Sequence, residues 1–231
     1  MVIRMSSKEY FKGKRSNISS RKHDIRTAKP SSYLILTEGA QTEPRYLGGI
    51  ASYINDTFGK NIEVRVPKIT IQGKGKSSLR LVEEAIALRA KSHHIYQYCW
   101  VVFDKDDNKD FDEAIDLAKR NNIQVAWSNQ SFEYWLCLHF ALDKTPRTRG
   151  EWEKKIDSYF KRSGFSPKGY HKNAEELKTL AISGNYLKLA VENASRAELE
   201  FSPNVPASKK DPCTTVHYLI KELAPYLKEM L

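Results

Sequence analysis

Only three cysteines occur in 231 residues: Cys99, Cys137 and Cys213, odd in number and far apart. Nothing in that pattern builds a disulfide framework, and without a CxxC pair or a Cys/His cluster there is no zinc signature. A reduced, cytoplasmic protein is the expectation. No run approaches 18 apolar residues, so no transmembrane helix and no membrane partner are expected. The polar, basic start has no apolar h-region, so a secretory leader is not expected either. There is no internal repeat. Acidic residues are in deficit, 28 Asp and Glu against 38 Lys and Arg, for a net charge of +10. Residues 1–29 hold nine Lys and Arg against two acids, which is +7 of that excess. This segment reads either as a solvated, flexible arm or as a phosphate-contacting arm that binds nucleic acid through counterion release.

An apolar share of 40% and an aromatic share of 11% supply a core for one sizeable α/β domain. From residue 31 the pattern alternates strand and helix. Strands are expected over 33–37, 62–71, 98–103 and 123–127, the second demoted to an edge or bulged strand by Pro67. Helices are expected over 42–54, 77–93 and 111–121, the first capped by the Thr42 hydroxyl with Pro44 in its first turn. This β-α-β-α-β-α-β order argues for a mostly parallel sheet flanked by helices. Helical patterns over 132–142, 150–162, 174–181, 186–200 and 214–230 then form a C-terminal helical layer. The division is thus 1–30 arm, 31–130 α/β core and 131–231 helical region.

Two of the apolar runs end in carboxylates about 65 residues apart: Tyr33-Leu34-Ile35-Leu36-Thr37-Glu38-Gly39 and Cys99-Trp100-Val101-Val102-Phe103-Asp104-Lys105-Asp106-Asp107. Unbroken apolar runs are the mark of strands buried on both faces. Ligands of open α/β sheets bind beyond the carboxyl ends of such strands. Acids placed there suit a hard divalent cation, Mg²⁺ or Mn²⁺. If extended geometry persists, Asp104 and Asp106 point to the same side and meet one ion. Gly39 offers the Glu38 turn a φ that other residues resist. Glu133 is a further candidate acid; its plainer role is a first-turn glutamate complementing the helix dipole. Glu43 divides the same way, between helix cap and site neighbour. His139 reads as a satisfied core histidine, and Asp107 as solvent-facing.

The strand, Glu-Gly, helix, strand, helix, strand, DxD order resembles the Toprim fold of topoisomerases, primases and several nucleases. More closely, the chain is similar to the RloB family. The likeness rests on Leu36-Thr37-Glu38-Gly39-x-x-Thr42-Glu43-Pro44-x-Tyr46, on Val102-Phe103-Asp104-x-Asp106, and on Ala126-Trp127-Ser128-Asn129-x-x-Phe132-Glu133-x-Trp135-Leu136-x-Leu138-His139-Phe140. Looser matches follow at Tyr170-x-Lys172 and Asp211-Pro212-x-Thr214-x-Val216. The resemblance implies a Toprim-like core, a restriction- or defence-linked role with an activating partner, and Mg²⁺-dependent nuclease activity. It implies Glu38 as the acid/base or metal-linked glutamate and Asp104 and Asp106 as Mg²⁺ ligands. RNA, such as tRNA, is favoured over DNA by analogy alone.

Lys74 and Lys76, in the Gly73–Ser78 loop, are candidate phosphate contacts at a helix start. Arg45, Lys172, Arg147, Arg149, Lys168 and Tyr170 give other loops the basic and aromatic character that suits nucleic acid. Residues 70–77 also match G-x-x-x-x-G-K-[ST] except at Thr70, where the first glycine belongs. A nucleotide-binding protein is therefore one alternative, and a non-catalytic RNA-binding or interaction module is another.

Overall fold

The computed structural model describes residues 31–59, 61–67, 77–93 and 95–231. The expected strand continuation over 69–71, with Lys74, Lys76 and the basic segment 1–30, lies outside the described residues.

The chain is an α/β protein, and among the described residues its sheet has five strands, mostly parallel. Strand β1 (Ser32–Thr37) is buried along its whole length, and β3 (Tyr98–Asp104) nearly so. Alternate side chains of these strands feed two separate cores. Tyr33, Ile35, Trp100 and Val102 enter one, and Leu34, Leu36, Cys99, Val101 and Phe103 enter the other. That is the period-2 alternation of a sheet covered on both faces.

Helix α1 (Thr42–Phe58) packs on the first face. Helices α2 (Ser78–Lys91) and α3 (Phe111–Arg120) pack on the second. Strand order is β2-β1-β3-β4-β5, with β2 at Glu63–Arg65, β4 at Gln124–Asn129 and β5 at Cys213–Thr214. The chain steps one way from β1 to β2 and the other way from β2 to β3 and from β3 to β4. A constant crossover hand then puts α1 on one face and α2 and α3 on the other. The reversal makes the gap between β1 and β3 the switch point, where open α/β sheets bind ligands.

Strand β2 ends before Pro67 and is the edge of the sheet, consistent with a residue that cannot donate to a ladder. The segment expected to be helical from Thr214 instead starts as β5, which pairs antiparallel with Ser128 and Asn129. The helix there is shorter, α8 at Val216–Glu222. Between β4 and β5 lie α4 (Phe132–Leu138), α5 (Arg149–Ser163), α6 (Glu176–Ala181) and α7 (Gly184–Glu198). Trp135, Trp152, Phe160, Leu177 and Leu187 from these helices share one core with α1 and the sheet. His139 lies fully buried in it. Its Nδ1–H donates to the Trp135 carbonyl at 3.1 Å and its Nε2 accepts from the Tyr46 hydroxyl at 2.9 Å. Burial pushes its pKa down to about 3, so it stays neutral. Among the described residues, no helix is long and apolar enough to cross a membrane.

Candidate functional site

Glu38 and Asp104 stand at the carboxyl ends of the two adjacent strands that flank the switch point. The Glu38 amide continues the ladder, donating to the Val102 carbonyl at 2.9 Å. From there the side chains converge on one cavity of about 270 Å³. It is lined by Glu38, Glu43, Asp104, Asp106, Glu133, Asn108, Arg149, Lys172 and the Gly39–Thr42 turn. All four acids expected from the sequence are present, and Glu43 is a fifth.

Each acid is held by a different device. Asn108 Nδ2 donates to Glu38 Oε1, to the Asp104 carbonyl and to Ser78 Oγ, each at 3.2 Å. The Ser78 hydroxyl in turn faces Glu38 Oε2 at 3.5 Å. Asp104 is 9% exposed and accepts from the Phe132 amide at the start of α4. The chain leaves β3 at Asp104, and Asp106 adopts φ +37, a left-handed conformation that Asp tolerates better than most residues. Extended alternation therefore does not continue to Asp106. The two aspartates meet another way: Arg149 Nη2 donates to Asp104 Oδ2 at 3.1 Å and Nη1 to Asp106 Oδ2 at 3.0 Å.

Glu133 is 4% exposed, and its Oε1 accepts from the Tyr170 hydroxyl at 2.7 Å. Tyr170 also lies 3.1 Å from Thr42 Oγ1. Thr42 is thus not the helix cap that its sequence position suggests; Gln41 occupies that position, with no side-chain cap. Tyr170 is buried rather than offered for stacking. Glu43 is 6% exposed and packs against Gly39. Gly39 has no left-handed φ; its missing side chain instead leaves room for the Glu43 carboxylate, which a Cβ would meet at 2.0 Å.

Among the described residues, five carboxylates and two cationic side chains line the cavity. Asp104 is pushed well above the ordinary carboxylate range, first by burial and then by Glu43 and Glu133, with Arg149 pulling the other way. Burial works against the Arg149 charge, but Asp104, Asp106, Glu133 and Glu43 outweigh it and hold the guanidinium protonated. Among the described residues, Arg149 Nε is a buried donor with no acceptor.

An all-oxygen, negatively charged donor set fits a hard divalent cation and not a soft one. As the side chains stand, no three Asp, Glu, His or Cys groups among the described residues are arranged around one ion. Arg149 spans the two aspartates.

The expected nucleic-acid contacts are less free than their sequence implied. Arg45 is paired with Glu175, and Lys172 with Glu153 at 2.7 Å. Arg147 is engaged by Asp143 and lies over Trp152. Of the nucleotide-loop motif, Ser77 and Ser78 are described. Ser77 caps α2 through the Arg80 amide and donates to Asp110, while Ser78 joins the Glu38 network. Asp107 is exposed.

Sequence reasoning gave Arg149 only as loop charge, left Glu43 undecided and did not single out Asn108. A signal for Arg149 was present. Thr148-x-x-Glu151 is a capping box, formed in full here, and it fixes Arg149 as the first residue of α5.

Fold and site together define an α/β protein with an acidic, partly neutralised cavity at the switch point of a parallel sheet. The chain belongs to the RloB-like protein family, whose model matches residues 33–223. No curated protein and no solved structure matches it.

Proposed function

We propose that this chain is a Mg²⁺-dependent nuclease with a Toprim-like core, Mn²⁺ being a competent substitute. The observation that carries the reading is the convergence of Glu38, Asp104, Asp106 and Glu133 on one cavity at the switch point. Buried like charges are costly unless a cation or a proton offsets them. Asp104 and Asp106 are the residues to hold the ion, with Glu38 beside them. Once bound, the ion would neutralise charge on the scissile phosphate and the leaving oxygen.

The chain's own residues supply the rest. Glu38, oriented by Asn108 and Ser78, is the group to take a proton from water or return one to the leaving oxygen. Glu133, fixed by Tyr170, completes the negative wall. The N-terminus of α1 opens on the cavity through Gly39–Thr42, and helix N-termini favour phosphate oxygens. Lys172 lies at the cavity, and Arg45, Lys74, Lys76 and the basic 1–30 arm would extend phosphate contact along the strand. RNA such as tRNA is the favoured substrate by analogy with Toprim-like effectors. The proposed setting is a restriction-linked antiphage role with an activating partner, in keeping with the resemblance, and a cytoplasmic location, in keeping with the three scattered cysteines.

The test is cleavage of end-labelled tRNA, single-stranded RNA and DNA by the full chain with Mg²⁺, Mn²⁺ or EDTA. Wild type should cleave only with metal; Glu38→Ala and Asp104→Ala should be inactive yet fold normally. Absence of cleavage under every condition would remove the nuclease reading. Stabilisation by ATP or GTP that Lys76→Ala abolishes would put the nucleotide-binding alternative in its place. Salt-sensitive RNA binding that survives Asp104→Ala, without cleavage, would favour a non-catalytic binding module.

A further inference from the structure

Arg149 stands where local chemistry disfavours it. It is the first residue of α5, and a cation in the first turn opposes the helix dipole. Natural sequences break such local rules mainly at functional positions. Its guanidinium takes one oxygen from each aspartate of the expected metal pair, Asp104 Oδ2 at 3.1 Å and Asp106 Oδ2 at 3.0 Å. Its Nε is buried with no acceptor among the described residues, so the fork is only partly used. The capping box between Thr148 and Glu151 pins the backbone, and the Arg149 side chain is 31% exposed, leaving it room to rotate.

We propose that Arg149 is the resident counter-cation of this site, and that a divalent ion gains Asp104 and Asp106 only by displacing its guanidinium. The inference rests on the divalent-ion reading above. A hard cation must approach its oxygens to about 2.0–2.6 Å. An ion held by these two carboxylates would be pressed against the guanidinium, which lies 3.1 Å from Asp104 Oδ2 and 3.0 Å from Asp106 Oδ2. Two cations packed that closely repel each other strongly. Displacement has a consequence for the substrate. The released fork still lines the cavity beside Lys172, and a planar guanidinium matches phosphate oxygens in pairs. Arg149 thus neutralises the aspartates while the ion is away and becomes available to phosphate when the ion is present.

The test is calorimetric titration of Mn²⁺ into the metal-free full chain, comparing wild type, Arg149→Gln and Arg149→Lys. Arg149→Gln should bind Mn²⁺ tighter by on the order of ten- to a hundredfold, the usual size of a coupling between competing groups. Its metal-free melting temperature should fall, and Mn²⁺ should raise it by more than in wild type. Arg149→Lys keeps the charge but loses the fork, so its gain should be smaller; it carries the test if the glutamine variant does not fold. Equal Mn²⁺ affinity in wild type and Arg149→Gln would overturn displacement while leaving the metal reading standing. Weaker binding in the variant would overturn it too, by making Arg149 a support of the ion site. If none of the three proteins binds Mn²⁺, the metal reading and this inference both fall.

Discussion

Gly39→Ala is a one-carbon perturbation aimed at the acidic cavity. The added Cβ would lie 2.0 Å from Glu43 Oε2, 2.3 Å from Oε1 and 2.4 Å from Cδ. Ordinary contact begins near 3.4 Å, so the carboxylate must retreat by about 1.4 Å. Glu43 is the end of a flexible side chain, so the fold can absorb the move at about 1–2 kcal/mol, the lower part of the overpacking range. The site cannot absorb it as cheaply. Glu43 acts on Asp104 through space, and a displacement near 1 Å in a reacting constellation costs about 100-fold in rate, or ~2.7 kcal/mol of transition-state stabilisation. Gly48→Ala is the control. It lies in α1 with nothing within 4 Å of the added carbon, and should gain up to about 1 kcal/mol of stability with no change in cleavage. The assay is urea denaturation alongside single-turnover cleavage and Mn²⁺ titration for both variants. Cleavage and Mn²⁺ affinity at wild-type level in Gly39→Ala would refute the placing of Glu43 in the working site.

Asp104→Asn should abolish metal binding and remove a pH-dependent part of the metal-free protein's stability. The raised pKa of Asp104 means the folded state holds a proton that the unfolded chain releases in the ordinary carboxylate range. Wild-type stability must therefore fall as pH rises from that range through the raised value, and the asparagine variant should lack that fall. Urea titrations across pH 4–8 would show the gap between the two proteins widening with pH; a constant gap would contradict the assignment. Tyr170→Phe leaves the buried Glu133 oxygen without its 2.7 Å donor and should cost about 1–3 kcal/mol by denaturation, so a neutral outcome would mean that bond contributes little.

Much of the framework was legible because it is written in local pattern. Strands β1 and β3 are continuous apolar runs, since both their faces are covered, and each ends at its acid. Parallel order followed from the alternation of strands and helices. What was not legible depends on contacts between distant residues. Thr42 looked like a cap because its neighbours form a helix start, but its hydroxyl meets Tyr170, 128 positions away. Strand β5 is two residues long and exists only through its pairing with β4, so no periodicity could announce it. Glu43 sits in a first helical turn, where an acid is ordinary, and only tertiary packing buries it beside Asp104. Arg149 looked like surface charge for the same reason. Strand alternation was expected to aim Asp104 and Asp106 at one ion; a turn at φ +37 replaces that alternation, and the group both aspartates meet is the Arg149 guanidinium.

If a divalent ion held by Asp104 and Asp106 meets the scissile phosphate, the oxygens of that phosphate must matter to the ion. Single-turnover cleavage of a substrate with one non-bridging oxygen replaced by sulfur tests it most directly. Sulfur is a poor partner for Mg²⁺ and a better one for the softer Mn²⁺. Cleavage of the sulfur substrate should be slow in Mg²⁺ and rescued in Mn²⁺, and Asp104→Asn should cleave neither substrate. Equal cleavage of both substrates in EDTA, or cleavage undiminished in Asp104→Asn, would contradict it.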